Sequence, residues 1–154
     1  MKCFVYLTLL IASLVADNVS ASEYSLKRCS SEESRQAEAE APLLSNWRDV
    51  YASFKQFSSC DDGAIAEGYS DTVGRLLANN WNEVSQLNQM TSSDVKFRSF
   101  ILYHIDGTLP KSELQTIIKN ARDDCKANAV GLCKLIGSQA LTQIQEAKGG
   151  LKYQ

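Results

Sequence analysis

The sequence predicts an all-α fold, a compact bundle or short solenoid of five to six amphipathic helices stapled by disulfides. From Leu43 onward, apolar residues recur at the three- and four-residue spacing of a helical face almost without a break. No alternating pattern long enough for a strand competes with that spacing. Beyond residue 21 the chain also carries four cysteines, which an exported protein can pair.

The N-terminus has the three parts of a secretory signal peptide. Lys2 supplies the positive charge, and residues 3–15 form an apolar run that is short for a bilayer span. Small residues at Val19 and Ala21 favour cleavage after Ala21. We therefore predict a signal peptide over 1–21 and a periplasmic or secreted protein, with an uncleaved anchor helix as the alternative.

Residues 22–42 differ from the rest of the chain because they are polar and lack an apolar stripe. This composition predicts a flexible polar arm or a frayed helix that ends at Pro42. The helical domain then occupies 43–154.

Apolar stripes separated by polar or glycine-containing breaks define the predicted helices of this domain. The predicted helices, each bounded by such breaks, cover 45–57, 61–79, 81–90, 92–106, 110–125 and 128–148. Ser45 is the expected N-cap of the first helix. Asp61 or Asp62 is expected to cap the second, and Ser92 or Ser93 the fourth.

The cysteines are predicted to form structural disulfides. Cys125 ends one stripe and Cys133 begins the next, so an αα-hairpin brings the two together and predicts a Cys125–Cys133 bond. A Cys29–Cys60 bond follows by elimination. The wide spacings contain no C-x-x-C pair, so we prefer disulfides to a zinc site and predict neither metal nor cofactor.

His104 is the only histidine, and it lies on an apolar stripe beside Phe100 and Ile101. This position predicts a neutral, hydrogen-bonded histidine in the core. A general base would need a nucleophile and an orienting group nearby, and Asp106 does not share the helical face of His104. We therefore predict no catalytic residue and no enzymatic activity.

Acidic residues gather around the start of the second helix: Asp61, Asp62, Glu67 and Asp71. A capping role accounts for Asp61 and Asp62. Glu67 and Asp71 are spaced i, i+4 on a solvated helix face. Paired carboxylates could perform acid–base chemistry or bind a cation. The interpretation we prefer is a recognition surface for a basic partner, with Tyr69 as a further contact, although its helical spacing makes it a core residue first.

The net charge of −2 provides no basic field for nucleic acid, so we predict no nucleic-acid partner. No second long apolar segment follows the signal peptide, so we predict no stable membrane insertion. The expected partner is another protein, while the oligomeric state stays open.

The segment Cys60–Asp71, CDDGAIAEGYSD, resembles small exported helical proteins of Gram-negative bacteria when taken with the later Cys125 and Cys133. The whole layout also resembles immunity proteins of type VI secretion amidase effectors. That resemblance implies a periplasmic, non-catalytic protein that plugs the active site of a peptidoglycan-cleaving toxin. No position here corresponds to their inhibitory loop, so no residue role is carried over.

The function expected from the sequence is therefore a periplasmic protein-binding module, in concrete form an immunity protein or inhibitor of a cell-wall-degrading toxin or hydrolase. The first alternative is a non-catalytic helical envelope or assembly factor. The second alternative is a small hydrolase that uses the acidic cluster.

Overall fold

Seven α-helices form most of the chain over 28–150, the residues that this computed structural model describes. The helices are Ser31–Glu40 (α1), Trp47–Phe57 (α2), Gly63–Asn79 (α3), Val84–Ser93 (α4), Val95–Tyr103 (α5), Lys111–Asp123 (α6) and Val130–Gly150 (α7). Short 3₁₀ turns occupy Ala41–Leu43, Ser58–Cys60, Trp81–Glu83 and Ala127–Ala129. No strand occurs over 28–150, which confirms the all-α prediction. The predicted signal peptide lies outside the described residues.

Helix α1 lies within the stretch for which we predicted a flexible arm. Its N-terminus is closed by a capping box, in which the Glu33 backbone N–H donates to Ser30 Oγ at 3.2 Å. In return the Ser30 backbone N–H donates to Glu33 Oε2 at 3.1 Å. Because two of the free N–H groups at the helix start are satisfied locally, residues 31–40 form a helix despite their polarity, in agreement with the helical alternative for this stretch and not with the flexible arm.

The helix caps also differ in detail from the sequence prediction. Asn46, not Ser45, caps α2 by accepting from the backbone N–H groups of the next turn. Asp94, not Ser92 or Ser93, caps α5 in the same way. In both helices the cap is the residue directly before the first helical residue, where its side-chain oxygen reaches the free N–H groups of the first turn.

An aromatic cluster from three helices forms the centre of the core. Phe54 of α2 lies 5.3 Å from Phe97 and 5.0 Å from Phe100 of α5, measured between ring centroids. Tyr69 of α3 meets Phe100 edge to face at 5.0 Å. These rings fix the positions of α2, α3 and α5 relative to one another.

Both predicted disulfides are confirmed. Cys125–Cys133 closes the connection between α6 and α7, which pack along one another as an αα-hairpin. Cys29–Cys60 joins the residues before α1 to the 3₁₀ turn after α2. No helix between residues 28 and 150 is long and apolar enough to cross a membrane.

Gly74 marks a close approach of α3 to the segment that begins α6. A Cβ atom at this position would lie 2.5 Å from Cδ2 of Leu109 and would overlap with the carboxylate of Glu113. In contrast, a Cβ at Gly131 in the first turn of α7 would meet nothing within 4 Å. Packing therefore requires a glycine at position 74, whereas position 131 has room for a side chain.

We expect Gly74→Ala to lower the free energy of unfolding by about 1–3 kcal/mol, because the added methyl overpacks this contact. Gly131→Ala is expected to raise it by up to about 1 kcal/mol through helix propensity alone. Urea denaturation of the two variants measures both changes. A Gly74→Ala protein as stable as Gly131→Ala would show that the close approach is not a real constraint.

Candidate functional site

The structure divides the predicted partner-binding residues between the interior and the surface. Tyr69 is fully buried, and its hydroxyl lies 2.8 Å from Ser53 Oγ, so it has no free surface for a partner. Burial is the main cause of the raised pKa of Tyr69, and the charges of Asp61 and Glu40 raise it further. The tyrosine was predicted as a surface contact from its acidic neighbours, yet it shares the apolar stripe of α3 and packs with the core.

The two aspartates that precede α3 have different environments. Asp62 is exposed and caps α3, with Oδ1 accepting from the Gly63 backbone N–H at 2.8 Å. Asp61 turns inward, and its Oδ2 lies 3.1 Å from Nε2 of His104. Only 15% of the Asp61 side chain is exposed, so this carboxylate is largely committed to the interior.

A chain of four polar side chains begins at Asp61 and continues through His104 to Ser70 and Asp106. His104 Nδ1 lies 3.0 Å from Ser70 Oγ, and the Ser70 hydroxyl donates to Asp106 Oδ2 at 2.6 Å. His104 is completely buried, and Ser70 is 1% exposed. We call these four residues the buried polar chain. It joins the start and middle of α3 to the end of α5 and the turn that follows.

The turn after α5 holds Asp106 as an ionised acceptor. Burial alone would raise the pKa of Asp106, but hydrogen bonds from Ser70 and Thr108 and the charge of His104 outweigh it and lower the pKa. Thr108 donates to Asp106 Oδ1 through its backbone N–H at 2.8 Å and through its hydroxyl at 2.6 Å. The carboxylate therefore fixes the turn as well as Ser70.

The hydrogen bonds of the buried polar chain define the proton positions on His104. The single hydroxyl proton of Ser70 points to Asp106, so Ser70 Oγ accepts from Nδ1–H of His104. On the other side of the ring, Nε2–H donates to the Asp61 carboxylate. The structure thus confirms a buried, hydrogen-bonded histidine.

Serine, histidine and aspartate in contact invite comparison with a hydrolase triad. Here the serine lies in the middle of α3, where the backbone N–H groups are engaged in helix hydrogen bonds and offer no oxyanion hole. Its proton is directed to Asp106, away from the histidine, and neither Ser70 nor His104 is accessible to a substrate. The geometry therefore supports a structural role for the chain.

Glu67 and Asp71 are the exposed carboxylates of the predicted cluster. They follow one another by one turn of α3 and line a cavity of about 350 Å³, whose other wall is formed by Thr108, Leu109 and Pro110. Within 28–150, neither side chain forms an ion pair or a hydrogen bond. We call this feature the acidic cavity. Two unpaired negative charges on one wall make it attractive to a cation.

Glu113 adds a third carboxyl group that the sequence did not indicate. It lies on the first turn of α6, and its Oε1 is buried without a hydrogen-bond partner. Burial raises the pKa of Glu113, the charge of Asp71 raises it further, and Arg75 opposes this shift. The signal in the sequence is Gly74, whose missing side chain leaves the space that the Glu113 carboxyl occupies.

No cluster of histidine, cysteine and acidic residues over 28–150 has the arrangement of a metal site. Comparisons with protein-family models, with curated proteins and with solved structures found no match to this chain. The resemblance to small exported proteins of Gram-negative bacteria therefore stays a prediction.

The raised pKa of Glu113 predicts a pH-dependent contribution to stability. A carboxyl whose folded pKa exceeds the unfolded value contributes stability that is fully present below the unfolded pKa and is lost as pH rises through the folded pKa. We therefore expect Glu113→Gln to stabilise the protein more at pH 7 than at pH 4, because the substitution removes the cost of ionising a half-buried group.

Urea denaturation of wild type and Glu113→Gln at both pH values measures this difference. Glu38→Gln, on the exposed side of α1, removes one negative charge without the burial and is the matched control. A gain from Glu113→Gln that is the same at the two pH values would contradict the assignment.

Proposed function

We propose that this chain is an exported protein-binding module, in concrete form a periplasmic inhibitor or immunity protein of a cell-wall-degrading toxin or hydrolase. The observation that carries the proposal is the acidic cavity, where Glu67 and Asp71 stand unpaired at the surface. Ser70 and His104 are the residues best suited to catalysis, but they form hydrogen bonds inside the protein instead.

The acidic cavity suits a lysine or arginine side chain of the partner. The carboxylates of Glu67 and Asp71 lie on one wall, while Leu109 and Pro110 offer apolar contact for an aliphatic stem. Like charges spaced i, i+4 on a helix repel one another mildly, and a bound cation relieves that repulsion. Charge complementarity of this kind selects partners and speeds their encounter.

The disulfides support the export part of the proposal. Both Cys29–Cys60 and Cys125–Cys133 are formed, and such bonds persist in oxidising compartments such as the periplasm or the outside of the cell. The disulfides hold the helical scaffold, and with it the recognition surface, in shape after export. A non-catalytic envelope or assembly factor would share these properties, and its partner would not be a hydrolase.

One observation favours the small-hydrolase alternative. Burial raises the pKa of Glu113 and the charge of Asp71 raises it further, so two carboxyl groups interact beside the acidic cavity. A carboxyl with a raised pKa beside a second carboxyl is an arrangement that occurs in acid–base catalysis. Glu113 would then serve as the acid and Asp71 as the base. Against it stands the buried position of the unpartnered Glu113 oxygen.

The proposal is tested with the mature protein as bait in periplasmic extract. We expect it to retain a cell-wall hydrolase and to inhibit the release of muropeptides from purified sacculi by that hydrolase. The double variant Glu67→Gln/Asp71→Asn is expected to weaken binding at least about tenfold, which corresponds to about 1.4 kcal/mol. Added salt should weaken wild-type binding in the same direction.

The matched control is Glu38→Gln/Glu146→Gln, which removes the same charge from exposed positions on α1 and α7. Equal binding by wild type and by both double variants would overturn the proposal. Muropeptide release by the purified protein itself, lost in Glu113→Gln, would establish the hydrolase alternative instead.

A further inference from the structure

Helix α1 is attached to the rest of the protein by few side chains. Of its ten residues only Ala37 is buried. At its start a capping box joins Ser30 to Glu33, and one turn further on Arg35 pairs with Glu32. Yet α1 lies across α2, α3 and the 3₁₀ turn Ser58–Cys60. It therefore covers other elements while it places only one side chain, Ala37, in the core.

The C-terminal end of α1 is anchored by a well-packed turn. Ala41 is buried, and its carbonyl accepts from the Thr72 hydroxyl at 2.8 Å. Gly68 lets this turn approach α3, since a Cβ there would lie 3.2 Å from Ala41 Cβ and from Pro42 Cδ. Movement of α1 would therefore pivot on residues 41–43.

The N-terminal end of α1 is held by the Cys29–Cys60 disulfide, which bridges 31 residues of sequence. A helix of ten residues is marginal in water without tertiary support. The burial of one alanine provides little such support. The disulfide therefore provides most of the attachment of α1 at its N-terminal end. The Cys125–Cys133 disulfide differs, since the helices it joins pack along one another without it.

A reductant can approach the Cys29–Cys60 bond from the side of Cys29, which is partly exposed, whereas Cys60 is buried. A wide cavity of about 620 Å³ is lined by both cysteines, by Ser59 and by Ile65. A thiolate of a dithiol reductant attacks one sulfur, the S–S bond breaks, and the departing cysteine sulfur takes up a proton. The second thiol of the reductant then resolves the mixed disulfide. The products are two cysteine thiols in the protein and one disulfide in the reductant.

We propose that Cys29–Cys60 is a redox latch for α1. In the oxidised protein α1 lies closed over α2, α3 and the turn between them. Reduction by a dithiol releases α1 about the pivot at 41–43, while α2 to α7 stay folded. The surface that α1 forms beside Asp62, at the start of α3, is therefore complete only in an oxidising compartment. This holds for any partner that the protein binds.

Hydrogen exchange measured by mass spectrometry on the full-length protein tests the latch. In Cys29→Ser/Cys60→Ser we expect exchange over 31–40 to be at least about tenfold faster than in wild type, with 63–79 changed by less than about twofold. The matched variant Cys125→Ser/Cys133→Ser should leave 31–40 protected. Adding dithiothreitol to that matched variant then breaks the latch with native cysteines in place, and should release 31–40 as well.

Two results would overturn the latch. Unchanged protection of 31–40 after the Cys29–Cys60 bond is lost would show that noncovalent contacts suffice to hold α1. Loss of protection over 63–79 together with 31–40 would show that the bond staples the whole fold and does not control one helix.

Discussion

The buried polar chain from Asp61 through His104 and Ser70 to Asp106 is the constraint on which the rest of the structure depends. Buried polar groups must form hydrogen bonds inside the protein, and removal of one member leaves its neighbours without a hydrogen-bond partner. The chain spans 34 and 43 residues of sequence in its two histidine contacts, so it ties α3 to the end of α5. It fixes orientation, which apolar packing alone specifies less sharply.

The two features for which we propose a role, the acidic cavity and the disulfide that holds α1, are both connected to this chain. At one end, Asp106 shapes the turn whose Thr108 forms part of the acidic cavity opposite Glu67 and Asp71. At the other end, Asp61 directly follows Cys60, one half of the bond that holds α1. The polar chain thus positions the surface carboxylates and the start of α3, although His104 and Ser70 are themselves closed to solvent.

Local patterns in the sequence predict most of this fold, and long-range contacts account for what they miss. Apolar spacing predicts the helices from α2 to α7, and the stripe ends at Cys125 and Cys133 predict their disulfide, because both signals lie within a few turns of chain. The Ser30 capping box is local too and explains α1. Ser70 lies on the buried stripe of α3, three residues before Val73, but nothing nearby in sequence indicates that His104 and Asp106 meet it. The inward turn of Asp61 and the buried oxygen of Glu113 depend on the same kind of distant contact.

Two aspartates with different environments allow the central claim to be measured directly, as the difference in unfolding free energy between Asp61→Ala and Asp71→Ala in urea. Asp61 belongs to the buried polar chain, whereas Asp71 is exposed. Removal of Asp61 leaves the Nε2–H of His104 without its acceptor and is expected to cost about 1–3 kcal/mol. Removal of Asp71 should change stability by no more than about 0.5 kcal/mol. Equal effects of the two substitutions would contradict the account, because the inward carboxylate would then hold nothing in place.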